Sequence, residues 1–306
     1  MNADDYLHRL RAGRITIVVD DEAAASAWSE LGPVLPLTAY DRLAADAPPA
    51  LLVTSRLATV GQLHDTWEDA AATFTVLWAA RYDSGLQAQR YAAAHLQALD
   101  GAAALARRAW CYDALLTYPG CDIQTSAGAL AVDLADELEI ANTSDEVRPL
   151  WLQSITEFAE ASIVNLESET SSFRASGTFA FAGLAHLVNT ADVRDRHAAT
   201  LTRLMRAAAG GDNHLELADN RVVRVVVGGS DVTAAFVAMF ADDERGASAL
   251  ELGLGCAALT PDWTIDSPLH KCCAGAFIGV GTGHRGPHVD FVALAADPCF
   301  RALPTA

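Results

Sequence analysis

Basic residues are scarce: 21 Lys and Arg stand against 39 Asp and Glu, a formal net charge of −18. Nucleic acid and anionic membrane surfaces both attract cationic protein faces, so this balance argues against either as a partner. It suits neutral or basic partners, such as a peptide carrying Lys or Arg, and it serves solubility. Long apolar runs are also missing. No stretch reaches the roughly 18 residues needed to span a bilayer, and the acidic start from Met1 to Tyr6 lacks the basic and apolar regions of a secretory signal. A cytoplasmic protein is the expectation. The six cysteines form no Cys-x-x-Cys pair and no framework spacing, which excludes a thiolate zinc site of the usual pattern and leaves reduced, buried thiols. No Gly-x-Ser-x-Gly elbow, P-loop or His-Glu-x-x-His helix is present. A Ser-His-Asp triad dispersed along the chain stays open, because its members need not be close in sequence.

What is present is enough chain, 306 residues of which 51% are hydrophobic, for one large or two ordinary domains. Residues 14–20 read as a buried strand followed by an Ala-rich helix, and the runs at 51–54 and 74–78 repeat the strand pattern. From Gly85 to about Tyr118 an Ala, Leu, Gln and Arg composition without proline predicts one long helix, or two broken near Asp100-Gly101. Strands separated by helices imply a small parallel sheet. Pro119-Gly120 punctuates the chain, and afterwards its character changes. Residues 173–181 alternate like a strand; a helix is expected over 191–208, stopped by Gly210-Gly211; Asp219-Asn220 reads as a hairpin turn; a short helix is expected near 231–240. Beyond Leu250 the chain is Gly-rich strands and loops. The expected fold class is α/β, with a small N-terminal parallel-sheet α/β domain over 1–120 and a β-rich α+β C-terminal domain over 121–306.

The strongest chemical signal is His288-Val289-Asp290. In a strand, side chains alternate with period two, so His288 and Asp290 fall on one face. An imidazole and a carboxylate side by side are two of the three ligands of a facial metal triad. Glu251, in the run Leu250-Glu251-Leu252-Gly253-Leu254-Gly255, is the candidate third, since a carboxylate in so apolar a stretch needs a compensating partner. The bland readings are a structural His–Asp pair and a solvent-exposed glutamate. Gly281-Thr282-Gly283-His284-Arg285-Gly286 matches a dinucleotide fingerprint in pattern only, because Pro287 and a strand follow where a helix is required. Those glycines are expected to shape a loop that delivers His288 and Asp290. His270, His284 and Arg285 flank the region as candidate catalytic groups, the histidines for proton transfer and Arg285 to hold a carboxylate. Lys271-Cys272-Cys273 could be reactive, but packing is the commoner role of such a run.

These elements taken in order, Glu251 to Gly255, then Lys271, Gly275, Gly279 and Gly281, then His288 and Asp290, resemble the M29 aminopeptidase and 2,5-dihydroxypyridine dioxygenase superfamily over roughly residues 170–295. The aminopeptidases hold two metals with additional Glu and His ligands. Here Leu269-His270 precede Lys271 with no carboxylate, Phe277 stands near the position of a ligating histidine, and Glu157 or Glu160 is the nearest counterpart of an earlier glutamate. The resemblance therefore implies one metal: Fe(II) by preference, Zn or Mn otherwise, or none, with Glu251, His288 and Asp290 as ligands. The chain reads as somewhat short for either branch. Relatives of this fold in peptide natural-product pathways, including proteins of crocagin biosynthesis, bind a precursor peptide. That resemblance implies a peptide-binding protein acting in maturation of a ribosomal peptide natural product. The alternative is a mononuclear non-haem iron dioxygenase-like enzyme, with aminopeptidase activity third. The implied partners are a precursor peptide or a small aromatic substrate, with a partner enzyme and a second copy of the chain as further candidates.

Overall fold

A computed structural model describes residues 1–302 apart from 42–43, 67–69, 142–143 and 150. Its N-terminal third is a parallel sheet of β1 (Thr16–Val19), β2 (Val34–Pro36), β3 (Ala50–Val53) and β4 (Phe74–Leu77) in the order β2-β1-β3-β4. β3 and β4 are buried at every position, as parallel strands covered on both faces must be. Helices α1 (Ala3–Arg11), α2 (Ala25–Trp28), α3 (Leu57–Thr66), α4 (Leu86–Ala98) and α5 (Gly101–Thr117) complete this part. The helix expected after residue 20 is only the single turn of α2. The long Ala-rich stretch does break near residue 100: Leu99 leaves the helical conformation and Asp100 accepts a hydrogen bond from Ala103 N, capping α5.

The rest is mostly antiparallel. In chain order it runs β5 (Gly120–Thr125), β6 (Gly128–Leu134), β7 (Glu139–Ile140), β8 (Glu160–Val164), β9 (Phe173–Ala180) and β10 (Gly183–Leu187). After α6 (Ala191–Ala208) come β11 (His214–Ala218), β12 (Arg221–Val227), β13 (Ser230–Asp231) and α7 (Thr233–Ala238). The last strands are β14 (Ala249–Gly255), β15 (Gly275–Val280), β16 (His288–Leu294) and β17 (Pro298–Phe300). They form a six-stranded sheet, β10-β16-β15-β14-β8-β7, and a seven-stranded sheet, β13-β12-β11-β9-β6-β5-β17. The β11–β12 hairpin turns at Asp219 and Asn220, both at positive φ (48° and 66°), as a two-residue turn matched to strand twist requires.

One core lies between these two sheets. Ile123, Val132, Phe173 and Phe179 of one sheet meet Leu252, Leu254, Ile278 and Phe291 of the other, with Leu201 and Leu204 of α6. A second core, under the parallel sheet, takes Phe158, Ala159, Leu269 and Cys272 from the later part of the chain beside Tyr6, Ile17 and Leu51. Ser154 makes a parallel bridge to Val76 of β4. The six-stranded sheet thus has one apolar face toward the seven-stranded sheet and a second face carrying Glu160, Glu251, Gly253, Gly279, His288 and Asp290. Five of the six cysteines are buried, Cys299 is exposed, and none is in a disulfide. No helix among the described residues is long and apolar enough to cross a membrane.

Candidate metal centre

Three neighbouring strands build the cluster. Glu251 of β14 and Asp290 of β16 are both directly opposite Gly279 of β15, so a single cross-strand row reads Glu251, Gly279, Asp290. His288 is two residues before Asp290 on the same face. On β14, Ala249 and Leu252 both enter the inter-sheet core although they are three residues apart. A β-bulge reconciles this: Ala249 opposes Val280 and Glu251 opposes Gly279, leaving Leu250 as the extra residue. Without that bulge Glu251 would share the core face with Ala249.

The geometry is tight. His288 Nε2 is 2.9 Å from Asp290 Oδ1 and 3.3 Å from Glu251 Oε2. One potential ligand atom from each residue lies within 4.8 Å of the others, and all three residues are buried. His288 Nδ1 is 2.7 Å from the carbonyl of Gly281, to which it donates, so Nε2 is the atom presented to the carboxylates. Gly281 and Gly283 adopt φ of 87° and 78°, which makes the fingerprint-like stretch a tight loop that carries the carbonyl to His288.

Lys271 joins from the other side. Its Nζ is 3.3 Å from both Glu160 Oε1 and Glu251 Oε1 and 5.3 Å from the centroid of the Phe277 ring. Burial would lower the Lys271 pKa, but Glu160 and Glu251 outweigh it and hold the ammonium well above its usual value. Burial likewise opposes ionisation of Glu251, yet Lys271 and His288 bring its pKa down to about 2. Glu160 is pushed up to about 8, by burial first and then by Glu251 and Glu157 against the pull of Lys271. His288 is raised to about 10 because Asp290 and Glu251 overcome the burial that disfavours imidazolium.

The donor set fits one divalent ion. Ligands about 2.1 Å from an ion at right angles to one another are about 3 Å apart, close to the two His288 distances above. Asp290 Oδ2 is buried without a hydrogen-bond partner, as is Glu160 Oε2. When an entering ion displaces the protons of His288 and Glu160, three carboxylates against one ammonium leave two negative charges, the charge that a divalent cation balances. Imidazole with two carboxylates suits Fe(II), Mn(II) or Zn(II). A second metal has less support: Lys271 occupies the space between Glu160 and Glu251, and Phe277, at the position expected for a further histidine ligand, offers no donor atom.

The other residues singled out from sequence are elsewhere. His270 is fully buried, its Nε2 3.0 Å from the Tyr91 hydroxyl and its ring edge-on to Trp263. Burial lowers its pKa to about 3. His284 is exposed and contacts Asn189, while the exposed Arg285 pairs with Glu244. None of the three contacts the carboxylates among the described residues. Lys271 and Glu160 are the members of the cluster that sequence reasoning left outside its ligand set. The signals for them were Lys271, the lysine kept from an acidic-Lys step that has lost its acid, and Glu160, one of two candidates for an earlier glutamate.

Two cavities share Arg81 and Tyr82 in their walls, and the smaller one adjoins the cluster. One of about 120 Å³ lies against Glu160 and Lys271. The other, of about 240 Å³, opens between residues 81–83, α6, the end of β10 and Asp266.

The family model for the crocagin biosynthetic protein CgnE/B matches residues 12–301. Among solved structures, 2,5-dihydroxypyridine dioxygenase from Pseudomonas putida KT2440 is similar at a TM-score of 0.50 and 16% identity, over 99% of this chain and 97% of that one. AmpT from Thermus thermophilus aligns at a TM-score of 0.46 and 14% identity, over 97% of this chain and 94% of that one. No curated protein sequence matches. The likeness extends over the whole fold rather than residues 170–295 alone. Coverage of 97% of the dioxygenase also corrects the expectation of a shortened chain. At this identity the comparison establishes the shared α/β fold.

Proposed function

Because the chain belongs to the family of the crocagin biosynthetic proteins CgnE/B, we propose that it serves natural-product biosynthesis by binding a precursor peptide. The observation that carries this reading is the cleft between the two halves of the molecule. Residues 81–83 form one wall, and α6, β10 and Asp266 form the other. Arg81 and Tyr82 continue into the smaller cavity at Glu160 and Lys271, so a bound chain would run toward the carboxylate cluster. The acidic surface favours a peptide with basic residues. Fluorescence anisotropy with a labelled synthetic precursor peptide tests the proposal. Saturable binding that survives EDTA and the substitution His288→Ala supports it; absence of saturable binding overturns it.

A second reading, a single-metal oxygenase, is favoured by the facial arrangement of Glu251, His288 and Asp290. These three would hold Fe(II), and the bound ion would supply Lewis acidity and coordination positions for a small aromatic substrate. The chain's own contributions are the Gly281 carbonyl, which fixes the His288 tautomer, and Lys271, which orients Glu251. This reading ranks second because the cavity that touches the cluster, about 120 Å³, has only half the volume of the cleft beyond Arg81 and Tyr82, about 240 Å³. Anaerobic Fe(II) titration separates it: one equivalent bound, and lost in His288→Ala, is its requirement.

A further inference from the structure

Three arginines, Arg81, Arg194 and the exposed Arg206, line the interdomain cavity against two acidic residues, Asp83 and Asp266, in a protein with 39 acidic side chains and 21 basic ones. Arg81 contacts neutral groups: Nη2 is 2.9 Å from His64 Nε2, Cζ sits 4.6 Å above the Trp78 ring, and Nε is buried with no hydrogen-bond partner. Arg194, from the first turns of α6, donates to the carbonyl of Ala80. Among the described residues neither forms an ion pair with a carboxylate. Burial lowers the pKa of both; Asp195 and Asp266 offset this in part for Arg194 through space, and neither is within ion-pair distance of it. Such a pair of guanidiniums in a concave site is the usual arrangement for holding a carboxylate from outside.

The remaining walls define the rest of the ligand. Leu201 and Met205 of α6 are buried side chains that line the same cavity. Asp266, itself 3% exposed, is beside them; Oδ1 accepts from His186 N, and Oδ2 has no hydrogen-bond partner although it lies 3.1 Å from His186 Nδ1. Burial pushes Asp266 well above the usual carboxylate range, and burial together with Arg194 brings His186 down to about 4. His186 is therefore neutral near pH 7, and the upward shift of Asp266 weakens its repulsion of an incoming carboxylate. At about 240 Å³ the space takes one residue, so the terminal residue of a bound chain would seat here and the rest would leave past Arg81 and Tyr82.

We infer that this cavity is a carboxylate-binding site in which Arg81 and Arg194 hold the charged group of a ligand and Leu201 and Met205 receive an apolar side chain attached to it. The chemistry is that of an apolar residue bearing a free carboxyl, at the end of a peptide or as a small acylated amino acid. The peptide form rests on the proposed peptide-binding function, while the small-molecule form does not depend on it.

Isothermal titration of the full-length protein at pH 7 tests the inference with N-acetyl-leucine, N-acetyl-leucinamide and acetate. The precursor peptide with a free or an amidated C-terminus forms the second arm. N-acetyl-leucine is expected to bind saturably, at least tenfold tighter than its amide and tighter than acetate. Arg194→Gln and Arg81→Gln are each expected to remove at least tenfold of that affinity without changing the affinity for the amide. Equal binding of acid and amide in both arms overturns the inference, as does failure of every free carboxylate to saturate. The acid–amide comparison uses the wild-type chain, so it decides the matter even where an arginine variant does not fold. Peptide binding that ignores C-terminal amidation, with no binding of N-acetyl-leucine, overturns this site while leaving the peptide-binding function standing. Saturable N-acetyl-leucine binding without peptide binding does the reverse.

Discussion

Gly279 is the floor on which the His288 ring rests. A Cβ on Gly279 would be 2.7 Å from both Cε1 and Nε2 of His288 and 2.9 Å from Cβ of Glu251. The strand can bring Glu251 and Asp290 to either side of one imidazole only because the residue between them has no side chain. Gly279→Ala is therefore expected to displace the ring or spread the strands, at about 1–3 kcal/mol of stability for the overpacking. Metal affinity should fall by tenfold or more, since displacement of Nε2 by several tenths of an ångström removes a ligand. Chemical denaturation and metal titration of the same variant check both. Unchanged metal affinity would show that His288 is not a ligand.

Lys271 is the internal counter-ion of the cluster. Replacing it by Met keeps most of the packing on Phe277 but leaves Glu160 and Glu251 buried without their cation. Loss of one partner from a buried ion pair costs about 3–5 kcal/mol. Above pH 8, where Glu160 is ionised, the double variant Lys271→Met with Glu160→Gln should recover part of that, because a buried charge is removed with its partner. Urea denaturation of the four proteins gives the coupling directly. Additive costs would mean that Lys271 and Glu160 do not interact.

Much of the fold was legible from period and punctuation. The run at residues 173–181, the helix over 191–208 and the turn at Asp219-Asn220 are local decisions, made by alternating apolar residues, a Thr190 cap and an Asp-Asn pair that tolerates positive φ. The His288 and Asp290 relationship was legible for the same reason, since strand alternation alone puts them on one face. Glu251 was found from its incongruity in an apolar run, but its direction was not. Periodicity would assign Ala249 and Glu251 to one face, and only pairing with Val280 and Gly279 reveals the bulge that turns them apart. Lys271 and Glu160 were not legible as a pair. They are 111 positions apart, and what joins them is the approach of β8 to β14 and of a short turn to both. The arginine-lined cavity was missed because it is a property of spatial neighbours drawn from residues 81–83, α6 and the 264–266 loop.

The metal-free protein should lose stability on the alkaline side. His288 is raised to about 10 from an ordinary 6.5, so its contribution is complete below pH 6.5 and disappears as pH rises through 10. Glu160, raised to about 8 from 4.5, acts in the same sense, with a contribution present below pH 4.5 and lost through pH 8. Glu251 acts in the opposite sense; lowered to about 2, it stabilises above pH 4.5 and loses that contribution only as pH falls toward 2. Stability from urea denaturation with EDTA should fall between pH 7 and 10, on the order of 5 kcal/mol in total. His288→Gln should flatten the profile. An equally steep profile in that variant would assign the alkaline loss to other groups.

Metal binding should be coupled to proton release through the same imidazole. Near neutral pH His288 carries a proton on Nε2, shared with Asp290 Oδ1 and Glu251 Oε2, and a divalent ion bound by those three atoms must displace it. Affinity should rise about tenfold per pH unit between pH 6 and 9 if one proton leaves. Titration calorimetry at one pH in buffers of different ionisation enthalpy counts the protons directly, and the count should be at least one. Glu160 adds to the count where its carboxyl, raised to about 8, also gives up a proton as the ion enters. His288→Ala should abolish saturable binding, whereas Glu160→Gln should preserve it and lower the proton count toward one. A pH-independent affinity with no proton released would place any bound ion away from His288 Nε2.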